Sequence, residues 1–161
     1  MITPLPLTIS AQDGFPLRAH IWSQHDNSVS PVVIINLTTS VHSRYYHRFA
    51  TFLYQNGLQV VCYDYRGIGN FRPPRLRHFS ANWLDWGSQD FEGILQFSRN
   101  HFSGSICVVG HSVSGFLIGM APSNKIFIVF LQWVLSLPTG GLMLLPNALE
   151  CYYVGTLQCL L

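Results

Sequence analysis

At 161 residues the chain is long enough for one domain with a buried core, and a content of 48% hydrophobic and 14% aromatic residues excludes a disordered chain. Charged residues make up only 10% against about 25% in ordinary globular proteins, so apolar faces are either widely covered or left bare. A net charge of +2 is too small to point to nucleic acid.

Leu5 to Ser10 and Leu17 to Trp22 read as short strands. The Asp13-Gly14 pair between them is a hairpin signal. Val32 to Asn36 is a β-branched run without alternation, as expected of a strand covered on both faces. Ser43 to Gln55 reads as a helix, with Tyr46, Phe49, Phe52 and Leu53 near 3.6-residue spacing and Asn56-Gly57 as its stop. Leu58 to Tyr63 is a second buried strand. The loop from Arg66 to His78 carries Arg72, Arg75, Arg77 and His78, a basic group able to bind phosphate but read in preference as a solvated face. Trp83 to Arg99 reads as a helix starting near Asp85 or Ser88. Ser105 to Val109 is a third buried strand, and a further helix starts at Val113 and ends near Pro122. Alternating strands and helices indicate a parallel sheet with helices on both sides.

After Lys125 the composition changes, so residues 1–125 are separated from an apolar tail, 126–161. Ile126 to Pro146 contains 21 residues without a charge, a length that raises the question of a membrane span. Pro138 and Gly140-Gly141 interrupt it, and no basic cluster flanks it. A buried strand plus a broken helix is preferred, and a membrane partner is not expected. The amino terminus carries no export signal. Cys62, Cys107, Cys151 and Cys159 lack metal-ligand spacing and read as free thiols of a cytoplasmic protein. Neither metal nor cofactor is expected.

The chemistry concentrates at Gly110-His111-Ser112-Val113-Ser114-Gly115. A serine placed between a buried strand and a helix is lifted to the carboxyl end of the sheet by a strained turn. Gly110 relieves crowding there, and Ser114 stands where a second glycine is usual. The Val113 amide is a candidate donor to an oxyanion, and a second is expected from the loop Leu37-Thr38-Thr39-Ser40 after the first buried strand.

These pieces together give a resemblance. Asn36 to Ala50 (NLTTSVHSRYYHRFA), Asp64 to Gly69 (DYRGIG), Asp85 to Asp90 (DWGSQD) and the Ser112 turn are similar to the α/β-hydrolase superfamily, near its serine aminopeptidase and monoacylglycerol-lipase-like groups. The resemblance covers Pro31 to Lys125. It implies an α/β fold, the amino-terminal half of a mostly parallel hydrolase sheet with an antiparallel strand near the N-terminus and flanking helices. It implies Ser112 as nucleophile, with the Val113 and Thr38 amides as oxyanion donors. Leu37 replaces the glycine usual in such relatives. Asp64 is implied as a structural residue holding the Arg66-Gly67 loop.

The partners of the serine are the missing half. All seven histidines, His20, His25, His42, His47, His78, His101 and His111, precede Ser112, and Glu150 is the only acid after it. The family order is serine, then acid, then histidine, so no triad acid or histidine is identifiable. Asp64 and Asp90 precede the serine. His42 is the best of a poor set for a substitute base, and the His111 side chain is expected to point away from the hydroxyl and pack on neighbouring strands. The expectation is a serine hydrolase acting by acyl transfer on a small-molecule ester or amide, truncated after its nucleophile. The alternative is an inactive fragment with at most a binding role. A sheet ending at its fifth strand would also expose apolar surface and an open edge, which implies self-association or dependence on another chain.

Overall fold

The computed structural model describes residues 2–23, 29–69 and 79–125, together with the backbone of three strands beyond them. Eight strands form one sheet: β1 (Leu5–Ser10), β2 (Pro16–Trp22), β3 (Val32–Asn36), β4 (Gln59–Tyr63), β5 (Ile106–His111), β6 (Val129–Trp133), β7 (Leu142–Pro146) and β8 (Tyr152–Val154), in the order β1-β2-β4-β3-β5-β6-β7-β8. The centre, β4-β3-β5-β6, is parallel. Both flanks are antiparallel, with β1 on β2 and β2 on β4 at one side and β6-β7-β8 at the other. The antiparallel strand expected near the N-terminus is therefore present, and antiparallel pairing also extends the far side.

Burial follows strand position. Every residue of β3 and β4 is buried, because helices cover both faces of the sheet centre. β2 alternates from Pro16 to Ile21, as a strand with one buried face must. The Asp-Gly turn is wider than a two-residue hairpin. The Ala11 amide donates to Phe15 O at 2.8 Å, the Gly14 amide donates to Ala11 O at 2.9 Å, and Gly14 takes φ +84.

A 3-10 turn, Ser43–Tyr46, leads into helix α1 (His47–Gln55). Ala50 is buried and Leu53 and Tyr54 pack beside it, but Phe52 is 40% exposed. The inward stripe runs i, i+3, i+4 from Ala50, and Phe52 lies off it. The helix expected from Trp83 is a composite: α2 (Trp83–Asp85), a π segment Trp86–Phe91, then α3 (Glu92–His101). Asn82 caps it by accepting the Leu84 amide at 2.8 Å, while Asp85 accepts the Asn82 amide at 2.8 Å, a reciprocal capping box. A short helix, α4 (Ser114–Ile118), follows β5. Parallel crossovers are right-handed. The step from β3 to β4 and the step from β4 back across to β5 run in opposite directions, so α1 lies on one face and the α2–α3 helix on the other.

Two expectations need correction. β5 is not an edge strand, since β6 pairs with it in parallel from Cys107↔Val129 to His111↔Trp133. Nor does Leu142–Pro146 form the second half of a broken helix; it is a strand paired with β6. Without charges to solvate, that run satisfies its backbone by joining the sheet. The helices among the described residues include none long and apolar enough to cross a membrane. The basic group Arg72, Arg75, Arg77 and His78 lies outside the described residues, as do His25, Cys151 and Cys159. Cys62 and Cys107 are free thiols, and burial pushes both upward in pKa.

The loop after β4 is held by charge. Arg66 donates from Nε to Asp90 Oδ1 at 2.6 Å and from its backbone amide to Asp90 Oδ2 at 2.8 Å. Its Nη1 and Nη2 reach the two Asp13 oxygens at 2.7 and 2.8 Å, and its guanidinium lies 4.9 Å from the Phe15 ring centre. Burial pushes the Asp90 carboxyl up to about 6, while the Arg66 bonds pull it down. Hydrogen bonds from Arg66 hold Asp13 below its usual range. Asp90, rather than Asp64, therefore holds the Arg66-Gly67 loop. Asp64 accepts the Ser43 amide at 2.6 Å, fixing the start of the 3-10 turn. It also lies against Gly69, where φ is +73 and a Cβ would collide with the carboxylate. Arg66→Met strands the Asp90 charge in the core, so it should cost about 3–5 kcal/mol, measured by urea unfolding at pH 7.5.

Two half-buried imidazoles sit at the margin of the core beside Trp22. The His20 and His47 rings meet edge-on at 4.6 Å, and the His47 ring meets Trp22 at 5.0 Å. His20 Nδ1 and His47 Nε2 are buried without hydrogen-bond partners among the described residues. Burial lowers both pKa values below 6.5. Below pH 6.5 the unfolded chain takes up protons at these two rings that the folded chain resists, so their contribution to stability falls with pH, against the opposite contribution of Asp90 with its raised pKa. Between pH 7 and pH 5.5 the urea midpoint of the wild type should fall relative to that of His20→Phe/His47→Leu, a comparison that isolates the two rings.

Candidate active site

The site is built where the sheet changes winding direction. β3 and β5 are parallel neighbours, and Asn36 pairs with Gly110 at their carboxyl ends. From β3 the chain turns one way, through α1 to β4; from β5 it turns the other way, through α4 to β6. Loops that diverge from adjacent strand ends leave a crevice between them, which is where ligands bind in open α/β sheets. Thr38 and Ser112 each lie two residues beyond this pair, so the register brings both candidate elements to one place.

Ser112 is exposed and takes φ +58, a left-handed conformation that costs a residue with a Cβ about 1–3 kcal/mol. The turn is closed by the Gly115 amide donating to Ser112 O at 3.1 Å and the Phe116 amide to Val113 O at 3.0 Å. The Val113 amide lies between these two acceptors in the chain and, at the helix start, has no acceptor within the helix. Ser114, fully buried, does more than take a glycine's place: its hydroxyl lies 3.0 Å from both Asn36 O and His111 O. It ties the start of α4 to the end of β3. The Asn36 side chain is held in turn, accepting from Tyr63 Oη at 2.7 Å.

The opposing loop is a tight turn in which the Val41 amide donates to Thr38 O at 3.4 Å and Ser40 takes φ +62. The usual glycine is absent at Leu37, which is fully buried, and the left-handed residue of this loop is Ser40. The Thr38 amide lies 3.4 Å from Tyr46 Oη. Tyr46 Oη is 2.6 Å from His111 Nδ1, with the rings edge-on at 6.0 Å. The His111 ring thus meets the 3-10 turn rather than packing only on strands. Burial raises the Tyr46 pKa and lowers that of His111. With the tyrosine protonated and the imidazole neutral, the imidazole tautomer sets which of the two atoms donates.

The structure brings together Ser112, Val113, Thr38 and His111. His42 precedes the 3-10 turn, with its carbonyl accepting the Tyr45 amide at 3.1 Å. Asp64 and Asp90 are committed to the Ser43 and Arg66 contacts. Two supporting residues carry no sequence signal. Tyr46 reads as one apolar position on a helix, and its partner lies 65 residues away. Glu92 is buried and accepts the Ser123 amide at 2.9 Å and its hydroxyl at 2.7 Å, pinning the chain after α4. Gly87 in the π segment lies so close to Leu117 O that a Cβ would collide with it. Among the described residues there is no cluster of three or more metal-ligating side chains. A cavity of about 260 Å³ lies along the β1–β2 side, lined by residues including Leu5, Trp22 and Tyr54, and Ser112 is not part of it.

Because the left-handed turn is strained, Ser112→Gly should raise unfolding free energy by about 1 kcal/mol. Ser114→Ala, which removes the single buried hydroxyl proton that Asn36 O and His111 O share, should lower it by about 1–2 kcal/mol. Urea titrations of the two variants beside the wild type check both signs.

A family profile described as serine aminopeptidase, S33, matches residues 28–125. Solved structures similar to the chain include the α/β hydrolase GrgF from Penicillium sp. sh18, at TM-score 0.68 and 16% identity, covering 83% of this chain and 47% of that one. A Pyrococcus furiosus esterase, Pf2001, aligns at TM-score 0.60 and 18% identity, over 79% and 47% of the two chains. Epoxide hydrolase A from Mycobacterium thermoresistibile aligns at TM-score 0.61 and 16% identity, over 81% and 39%. The chain thus spans less than half the length of these structures. A search of curated proteins gave no match.

Proposed function

Since the chain belongs to the serine aminopeptidase S33 family of α/β hydrolases, we propose that it carries the nucleophile half of a serine hydrolase acting on a small-molecule ester or amide. Ser112 attacks the acyl carbonyl, and the alkoxide of the tetrahedral intermediate is held by the amides of Val113 and Thr38. Collapse of that intermediate expels the alcohol or amine, and water then releases the acyl group from Ser112. The observation that carries the reading is Ser112 at φ +58, exposed at the carboxyl end of β5 beside the loop of β3. The Thr38 amide contact with Tyr46 is long, 3.4 Å, and a charged oxygen is a stronger acceptor than a neutral hydroxyl. Each such donor is worth about 3 kcal/mol in the transition state.

A serine hydroxyl is a weak nucleophile without a base, and neither histidine nor aspartate follows Ser112 in these 161 residues. On this reading the base and its acid are supplied from outside them. The same observation supports a second reading, an inactive chain that only binds. Free Cys62 and Cys107 fit a reducing cytoplasm.

A fluorophosphonate probe separates the two readings. Slow labelling of the folded chain that disappears in Ser112→Ala is expected, because an oxyanion site alone retains about 10³–10⁴-fold catalysis over water. Absence of Ser112-dependent labelling leaves the binding-only reading.

A further inference from the structure

We propose that Tyr46 is a positioning residue, whose hydroxyl bridges the Thr38 amide and His111 Nδ1 and so sets the oxyanion loop against the Ser112 turn. The inference rests on the acyl-transfer reading and deepens it. An oxyanion needs two amides, one from each diverging loop, at a separation fixed to a fraction of an ångström. On the β5 side the Val113 amide is fixed by the turn and by the Ser114 hydroxyl on Asn36 O. On the β3 side the turn is held by a long 3.4 Å bond within itself, and Ser40 is in a left-handed conformation.

The side-chain bridge from this loop to the nucleophile strand runs through Tyr46. Its ring stands on the 3-10 turn that Asp64 fixes through the Ser43 amide at 2.6 Å. Its hydroxyl lies 2.6 Å from Nδ1 of the residue immediately before Ser112 and accepts the Thr38 amide at 3.4 Å. The short bond is the anchor, and the long one is weak enough to yield the amide to an oxyanion. Drawn with the hydroxyl as donor, the bridge puts the His111 proton on Nε2, a tautomer that NMR reads directly.

The test compares the 161-residue chain with Tyr46→Phe, His111→Phe and His111→Asn, each confirmed folded by near-ultraviolet circular dichroism. Two readouts are taken: the rate of Ser112 phosphonylation by a fluorophosphonate, and nitrogen and amide-proton NMR of His111 and Thr38. Tyr46→Phe keeps the ring and removes both bonds. It should slow phosphonylation about tenfold, as a sub-ångström misplacement would, shift the Thr38 amide proton and release the His111 tautomer. His111→Asn, which keeps an acceptor near Nδ1, should recover part of the rate lost in His111→Phe. That recovery would not follow if His111 merely filled space. A wild-type rate in Tyr46→Phe overturns the proposal. If the wild type itself is not labelled, the hydrolase reading falls for this chain, and the Thr38 amide alone decides. Its shift in Tyr46→Phe sustains the bridge, and an unmoved signal overturns it.

Discussion

Asn36 pairs with Gly110 at the carboxyl ends of β3 and β5, and beyond that pair the chain leaves the two strands in opposite directions. A parallel ladder has no freedom to slip by one residue without exchanging its faces, and β3 is buried along its whole length. The hydrophobic core therefore dictates the relative position of Thr38 and Ser112, although neither residue belongs to it. The polar contacts at this edge, Ser114 on Asn36 O and Tyr46 on His111, refine a placement that the register has already made.

Farther from the crevice, the loops are tied by side chains distant in sequence. Arg66 gathers Asp13 from the β1–β2 turn and Asp90 from the π segment. Trp86 adds an indole N–H to Arg66 O at 3.1 Å and stacks on Tyr65 at 5.1 Å. The cost of burying the Asp90 carboxylate is offset only because the same guanidinium and backbone serve it. In this way the helix that backs α4 is fixed to the opposite side of the sheet, and the Ser112 turn inherits that support through the close approach of Gly87 to Leu117.

The fold was legible where one physical signal dominates. Val32 to Asn36 announces a doubly covered strand because its short run is rich in β-branched residues, and Gly110 to Gly115 announces a turn because its glycines and serines permit one. Pairwise polar chemistry was not legible. Asp64 and Asp90 occupy similar places, each just beyond or before an apolar run, and only the folded chain assigns the Arg66 loop to Asp90 and the Ser43 amide to Asp64. Tyr46 gave no sign because a tyrosine on an apolar stripe looks the same whether or not its hydroxyl has a partner. Beyond Lys125 the uncharged run suggested helix as readily as strand, since apolar residues without alternation carry no period to distinguish them.

The six-residue π segment between α2 and α3 has a consequence for how this chain tolerates change. A π turn holds one residue more than the α turn it interrupts, so it shifts the angular phase of everything after it by about 100°. Trp83 and Leu84 before it look outward, whereas Asp90, Phe91 and Ile94 after its start look inward. A single-residue deletion there would leave a smoother helix yet swing Asp90 off its guanidinium, so the surplus residue is itself what keeps that carboxylate aimed inward.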